Sequence, residues 1–322
     1  MPNSPLKKWA KILIPLVLGA FFLWYFFQET TTTERQQIWL NVKNANLFWV
    51  AVSVTLGFFS HLLRANRWKL LLTPLKDKPK LYNCFFTVMF GYLANLGVPR
   101  SGEVLRGASY ASYTRLSFEQ SFGTIITERV IDFIMLISIV GIALLLQTDQ
   151  LIFYLRENDI NPLNTLYLLV PLLLLLILGI RVLKYSHNKF IQKLRDFLLG
   201  LLDGIKSVFK LEKKWSFIIQ TLAIWMLYFV MFWVIKFSVT GTENISLGAT
   251  LIGFIAGAFS MSITSGGIVL YPLAIASVFK LYDVPVEVGQ AFGWVIWTAQ
   301  TLLVIIVGTL SAILLPVLNK KS

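Results

Sequence analysis

Charge is scarce in this sequence. Only 14% of its 322 residues are charged and 56% are hydrophobic, where an ordinary soluble domain is about a quarter charged. That balance excludes a conventional soluble fold. Cysteine is nearly absent: Cys84 stands alone, which rules out an intrachain disulfide and any cysteine-cluster metal site. The two histidines, His61 and His187, lie far apart. No HExxH, CxxC, phosphate-loop or GxSxG pattern occurs, so no cofactor, metal or catalytic residue is expected. Acidic residues are few, 16 against 29 Lys and Arg, for a formal charge of +13. Such an excess can mark a nucleic-acid partner. Here the positive residues fall in short blocks between apolar runs, the pattern of membrane-protein loops, and the basic-aromatic pattern of single-strand binders is missing. Nucleic acid is not an expected partner.

The chain is rich in long apolar runs. A spanning helix needs about 20 mostly apolar residues, and spans are expected at 12–27, 44–63, 121–146, 163–180, 215–235 and 288–316. The first follows Lys7, Lys8 and Lys11 and ends in Trp24-Tyr25-Phe26-Phe27. Without small residues at its end it reads as a retained helix, not a cleaved signal. Two further apolar regions, 81–109 and 247–280, are interrupted by Gly, Pro and polar residues.

Of the 29 Lys and Arg, 23 lie in the N-terminal tail, loop 64–80, region 100–119, loop 181–214 and the C-terminal tail. This bias puts both termini in the cytoplasm. The parity then requires 81–109 to enter and return from the inside, and 247–280 from the outside. Each is a re-entrant hairpin or a pair of short helices, tolerated only where buried in protein or lining a wet cavity. Phe190, Leu194, Phe197, Leu198, Leu201, Ile205 and Val208 recur at helical spacing among basic residues. The segment of about 186–211 therefore reads as an amphipathic helix on the cytoplasmic membrane face, or equally as a helix packed on the bundle. The expected fold is an all-α polytopic membrane protein forming one domain over 1–322. It has about six full spans and two broken hairpins, whose opposite entry suggests an inverted repeat.

Four constellations could carry function. The run from Gly91 to Arg106 contains Asn95, Gly97, Pro99, Arg100, Gly102 and Glu103. Pro99 stops a helix, a new one can start near Ser101, and its amides with Arg100 and Arg106 suit a phosphate. The bland alternative is a hairpin anchored at the interface by its arginines. In Glu128-Arg129-Val130-Ile131-Asp132, the two acids share one helix face inside an apolar span. They could pair with the hairpin's arginines, relay protons or hold a cationic headgroup, or else form a structural ion cluster. The stretch His61-Leu62-Leu63-Arg64-Ala65-Asn66-Arg67-Trp68-Lys69 reads chiefly as interfacial anchors at a helix end, with guidance of anionic lipid as the alternative. Ser260, Ser262, Thr264, Ser265, Gly266, Gly267, Tyr271 and Pro272 interrupt the second broken region, just after the pair Gly253 and Gly257. Tight packing would explain them, but paired broken segments also point to a transporter's midplane site.

Asn95-x-x-x-Pro99-x-x-Gly102-Glu103-x-x-Arg106, then Glu128-Arg129-x-x-Asp132, then Gly266-Gly267 together resemble the lysylphosphatidylglycerol synthase transmembrane family, which includes the flippase-like region of multiple peptide resistance factor proteins. The likeness runs over about residues 10–316. It implies a helical bundle of the bacterial cytoplasmic (inner) membrane that moves lipid. A separate C-terminal domain makes the aminoacylated lipid in the best-known members. These 322 residues leave no room for it, so lysyl-lipid synthesis is not expected. The acid that often follows the glycine pair is missing from Gly266-Gly267-Ile268-Val269-Leu270, which puts any headgroup preference tied to it in doubt.

The leading expectation is a lipid translocator. Its site would comprise Asn95, Arg100, Glu103, Arg106, Glu128, Arg129, Asp132, Ser265, Gly266 and Gly267, with a membrane phospholipid or other lipid as partner. A membrane enzyme or subunit acting on polyprenyl or glycolipid substrates, a gradient-driven solute transporter and a membrane scaffold are the alternatives. A homo-oligomer or a lipid-synthesis partner also stays open.

Overall fold

The computed structural model describes residues 30–75, 78–98, 101–148 and 208–319, with isolated positions at 24–28 and 178–195. The expected spans 12–27 and 163–180 and the amphipathic segment 186–211 lie almost wholly outside the described residues. Nine helices are described: α1 Thr32–Lys43, α2 Leu47–Leu72, α3 Leu81–Gly97, α4 Gly102–Tyr113, α5 Phe118–Leu146, α6 Lys214–Trp233, α7 Leu247–Ile263, α8 Leu270–Lys280 and α9 Val286–Leu318. The described residues contain no strand. By packing, residues 1–125 with 211–322 form one unit and 126–210 a second.

Among the described residues, four helices are long and apolar enough to cross a bilayer: α2 with its short 3₁₀ extension to Leu75, α5, α6 with its extension to Phe237, and α9. They answer to the expected spans 44–63, 121–146, 215–235 and 288–316. One boundary is corrected. The second span does not end at 63; its helix continues to Leu72.

Side-chain hydrogen bonds between helices fix how the first unit is assembled. Ser53 Oγ donates to the Met231 carbonyl, and Arg67 donates to Thr221 Oγ1. Helices α2 and α6 therefore run antiparallel. The α3–α4 hairpin begins beyond the C-terminal end of α2, whereas α7–α8 begins beyond the C-terminal end of α6. The two hairpins thus enter the unit from opposite ends. Each pairs a 17-residue arm with a shorter one, α4 at 12 residues and α8 at 11. At 1.5 Å per residue these short arms reach about 18 Å, well under the roughly 30 Å of a hydrocarbon core. Both are re-entrant in length.

Helix α9, about 50 Å long at the same rise, packs along both hairpins. A Cβ on Gly293 would lie 2.5 Å from Pro272 Cα, and one on Gly308 would lie 2.9 Å from the Met89 carbonyl oxygen. Between lipid-embedded helices there is little hydrophobic drive, and close backbone approach at small residues supplies the packing instead. Gly253 and Gly257 act in this way, lying against the rings of Phe279 and Tyr271 on the returning arm. In the second unit, α5 presents Phe133 and Leu145 at 62% and 80% exposure, as suits a lipid-facing helix.

Helix α1 was not anticipated, though Thr31-x-x-Glu34 is a capping-box pattern. Glu34 accepts from the Thr31 backbone N–H at 2.6 Å and from its hydroxyl at 2.8 Å. Chiefly the backbone bond, then the hydroxyl, holds the carboxyl below its ordinary range. A carboxylate depressed in the folded state stabilises it above the unfolded pKa, and that support is lost as pH falls through the folded value. Helix α1 is therefore expected to fray in the wild type as pH falls below the ordinary glutamate range. The Glu34→Gln variant should show no such transition when backbone amide shifts are followed by NMR.

Candidate functional site

The first break lies between α3 and α4. Val98 follows the last turn of α3, and Ser101 begins the next helix at its N-cap, as the proline predicts. Pro99 and Arg100 lie outside the described residues. Asn95 closes the hairpin from within: its Oδ1 accepts from the Gly102 backbone N–H at 2.7 Å. Gly102 itself is pressed against the Gly91 carbonyl. Glu103 sits half-buried in the first turn of α4, and Arg106 is buried one turn further on.

The second break is a 3₁₀ turn, Ser265–Gly267. Gly266, Gly267 and Val269 have φ of 66°, 75° and 63°. The glycines adopt that region freely, but a β-branched residue does so only under strain, and such strain concentrates at functional sites. Trp297 of α9 donates its indole N–H to the Gly266 carbonyl at 2.7 Å. A Cβ on Gly266 would meet Leu96 Cδ2 of the first hairpin at 3.1 Å. The two broken tips, entering from opposite ends, therefore touch inside the unit.

Beside them runs a polar stripe of α2. Ser53, Gly57, Ser60, Arg64 and Arg67 are buried on one helix face, three or four residues apart. This corrects the reading of His61–Lys69 as interfacial anchors, because Arg64, Arg67 and Trp68 are interior residues. The physical reason is the facing helix, which supplies hydroxyls and rings. Arg64 donates to Tyr228 Oη at 2.8 Å and lies 5.9 Å from the Tyr92 ring. Arg67 donates to Thr221 Oγ1 at 3.1 Å and lies 5.5 Å from the Phe217 ring. Arg106 stacks on Trp68 at 3.9 Å, and Trp68 donates to Thr124 Oγ1 at 2.8 Å. Single-sequence reasoning could have noted the stripe's helical spacing, but Thr221 and Tyr228 are more than 150 residues away.

In the second unit Glu128 is fully buried on α5, with Arg129 and Asp132 half-buried. None of the three lacks an interaction partner. Among the described residues no group of His, Cys, Asp and Glu could hold a metal ion.

Long apolar helices with two opposed re-entrant hairpins and buried arginines define a polytopic helical membrane protein. A family model for the lysylphosphatidylglycerol synthase TM region matches residues 12–308, and the chain belongs to that family. Neither a curated protein nor a solved structure matches it.

Proposed function

We propose that this protein moves a lipid with a phosphate-bearing headgroup between the leaflets of a bacterial cytoplasmic membrane. In this reading both termini are cytoplasmic and the acyl tails stay in the bilayer. The observation that carries it is the contact between the two broken tips, Leu96 against Gly266. Discontinuous helices meeting inside a bundle are how transporters build a midplane path. Buried arginine supports it: an ion taken out of water is costly unless it is paired, and Arg64, Arg67 and Arg106 are all buried within the first unit. Arginine suits phosphate because its planar fork contacts two oxygens. Membership of a family with a flippase-like region points the same way.

The test is leaflet exchange in proteoliposomes, with headgroup-labelled phospholipid and an impermeant quencher. Wild type should exchange lipid, and Arg106→Gln and Glu128→Gln should each slow exchange by about tenfold or more, equivalent to about 1.4 kcal/mol. Folding is checked by thermal unfolding. Undiminished exchange in both folded variants would remove these residues from the path. No exchange by wild type with anionic, zwitterionic or aminoacylated lipid would reject translocation and favour an enzyme or solute transporter.

A further inference from the structure

His61 lies 14 residues into α2, a helix of 26. That is about 21 Å along some 39 Å at 1.5 Å per residue, near the middle. Its ring packs on Tyr92 of α3 at 4.9 Å, one turn before the Leu96 tip. One turn along α2, Arg64 lies 5.9 Å from the same Tyr92 ring and donates to Tyr228 of α6. Tyr228 in turn packs edge-on against Trp225 at 6.0 Å. Three helices thus bring one continuous polar-aromatic layer together beside the broken tips.

Among the described residues, three atoms of this layer are buried without a hydrogen-bond partner: His61 Nδ1, Tyr92 Oη and Trp225 Nε1. A buried polar group left unpaired costs about 1–3 kcal/mol, and such groups in a native protein call for an explanation. One of the three can only donate. The indole N–H only donates, and the phenol and the imidazole N–H can donate. With the Arg64 guanidinium beside them, a single kind of partner that would satisfy all three is a negatively charged acceptor.

We infer that His61, Tyr92 and Trp225, with Arg64, form a midplane site for the anionic oxygens of a phosphate group. The inference rests on the proposed translocation and adds to it the moiety that is recognised midway. The donors read the phosphate, whatever is attached beyond it. The same chemistry could come from a lipid headgroup or from free phosphate.

The full chain, in a phosphate-free detergent, would be unfolded thermally with added short-chain phosphatidylglycerol, short-chain diacylglycerol or inorganic phosphate. Phosphatidylglycerol should raise the midpoint and diacylglycerol should not. A rise with inorganic phosphate as well would name a soluble anion as a second source for the site. Tyr92→Phe and Trp225→Phe keep an aromatic ring in place and remove one donor each. Each should need about tenfold more phosphatidylglycerol for the same rise, and the double variant more again. The single variants stand on their own if the double one folds poorly. Protection by diacylglycerol equal to that by phosphatidylglycerol, or an unchanged requirement in both single variants, would overturn the site. Exchange measured on the same preparations separates the two readings. Exchange with variant-insensitive binding removes the site but keeps translocation. Variant-sensitive binding without exchange keeps the site and removes translocation.

Discussion

Replacing Gly102 by alanine is expected to destabilise the first hairpin more than any other single-methyl change in it. The new Cβ would overlap the Gly91 carbonyl oxygen and lie 2.6 Å from Asn95 Cγ. One obstacle is backbone and cannot rotate away. The other is the Asn95 side chain, whose Oδ1 accepts from the Gly102 backbone N–H. Relief requires the two arms to part, which weakens the Asn95 cap and shifts Arg106, whose Cβ faces Gly91. Overpacking of this kind costs about 2–3 kcal/mol. Gly97 supplies the contrast, since a Cβ there meets nothing within 4 Å. Gly97→Ala should be neutral or slightly stabilising, as helix propensity favours alanine. Unfolding in mixed micelles of graded denaturing detergent measures both. Equal stability of Gly102→Ala and wild type would show that the arms are not in contact.

Truncating Trp68 to alanine is expected to have the second large effect, on stability and on lipid exchange together. Its ring is fully buried, lies edge-on to Tyr110 at 4.9 Å, carries the Arg106 guanidinium on its face and donates to Thr124. It therefore ties α2, α4 and the start of α5 to one another. In a bilayer the unfolded reference is also apolar, so little is lost by transfer; the loss comes from the cavity and its contacts. About 3 kcal/mol is expected, at the low end of tryptophan truncation in soluble cores. Trp68→Phe keeps most of the ring and removes the N–H, so about 1 kcal/mol should go. If Trp68→Ala unfolds like wild type, the interior placement of Arg106 loses its basis.

Most of the elements that resist single-sequence reading share one cause. In α2, Arg64, Arg67 and Lys69 look from sequence alone like the end of a span at 63. Hydropathy weighs each residue against lipid, but these arginines are set against Tyr228, Thr221 and aromatic rings brought in by a helix over 150 positions downstream. The same blindness hid the layer of His61, Tyr92 and Trp225. Their separate positions carry no local motif, and only the pairing of α2 with α3 and α6 makes them neighbours. Helix α1 differs: its capping box is local, but the polar segment it opens lies between two apolar runs that dominate the hydropathy pattern.

Much else was written locally. The apolar runs, long enough for a bilayer and nearly free of charge, determine α2, α5, α6 and α9 as spans, because lipid allows no other closed hydrogen-bonding scheme for a single segment. Pro99 and the glycine pair Gly266-Gly267 determine where two helices break, because proline lacks the donor and glycine alone enters positive φ without strain. The basic loops anticipate opposite entry of the two hairpins. What the tertiary structure alone decided is that the breaks meet, Leu96 against Gly266, with Trp297 pinning the second tip. It also decided that three arginines face inward. Those contacts join residues far apart in the chain, and their geometry arises only when helices pack closely enough for backbone to touch backbone.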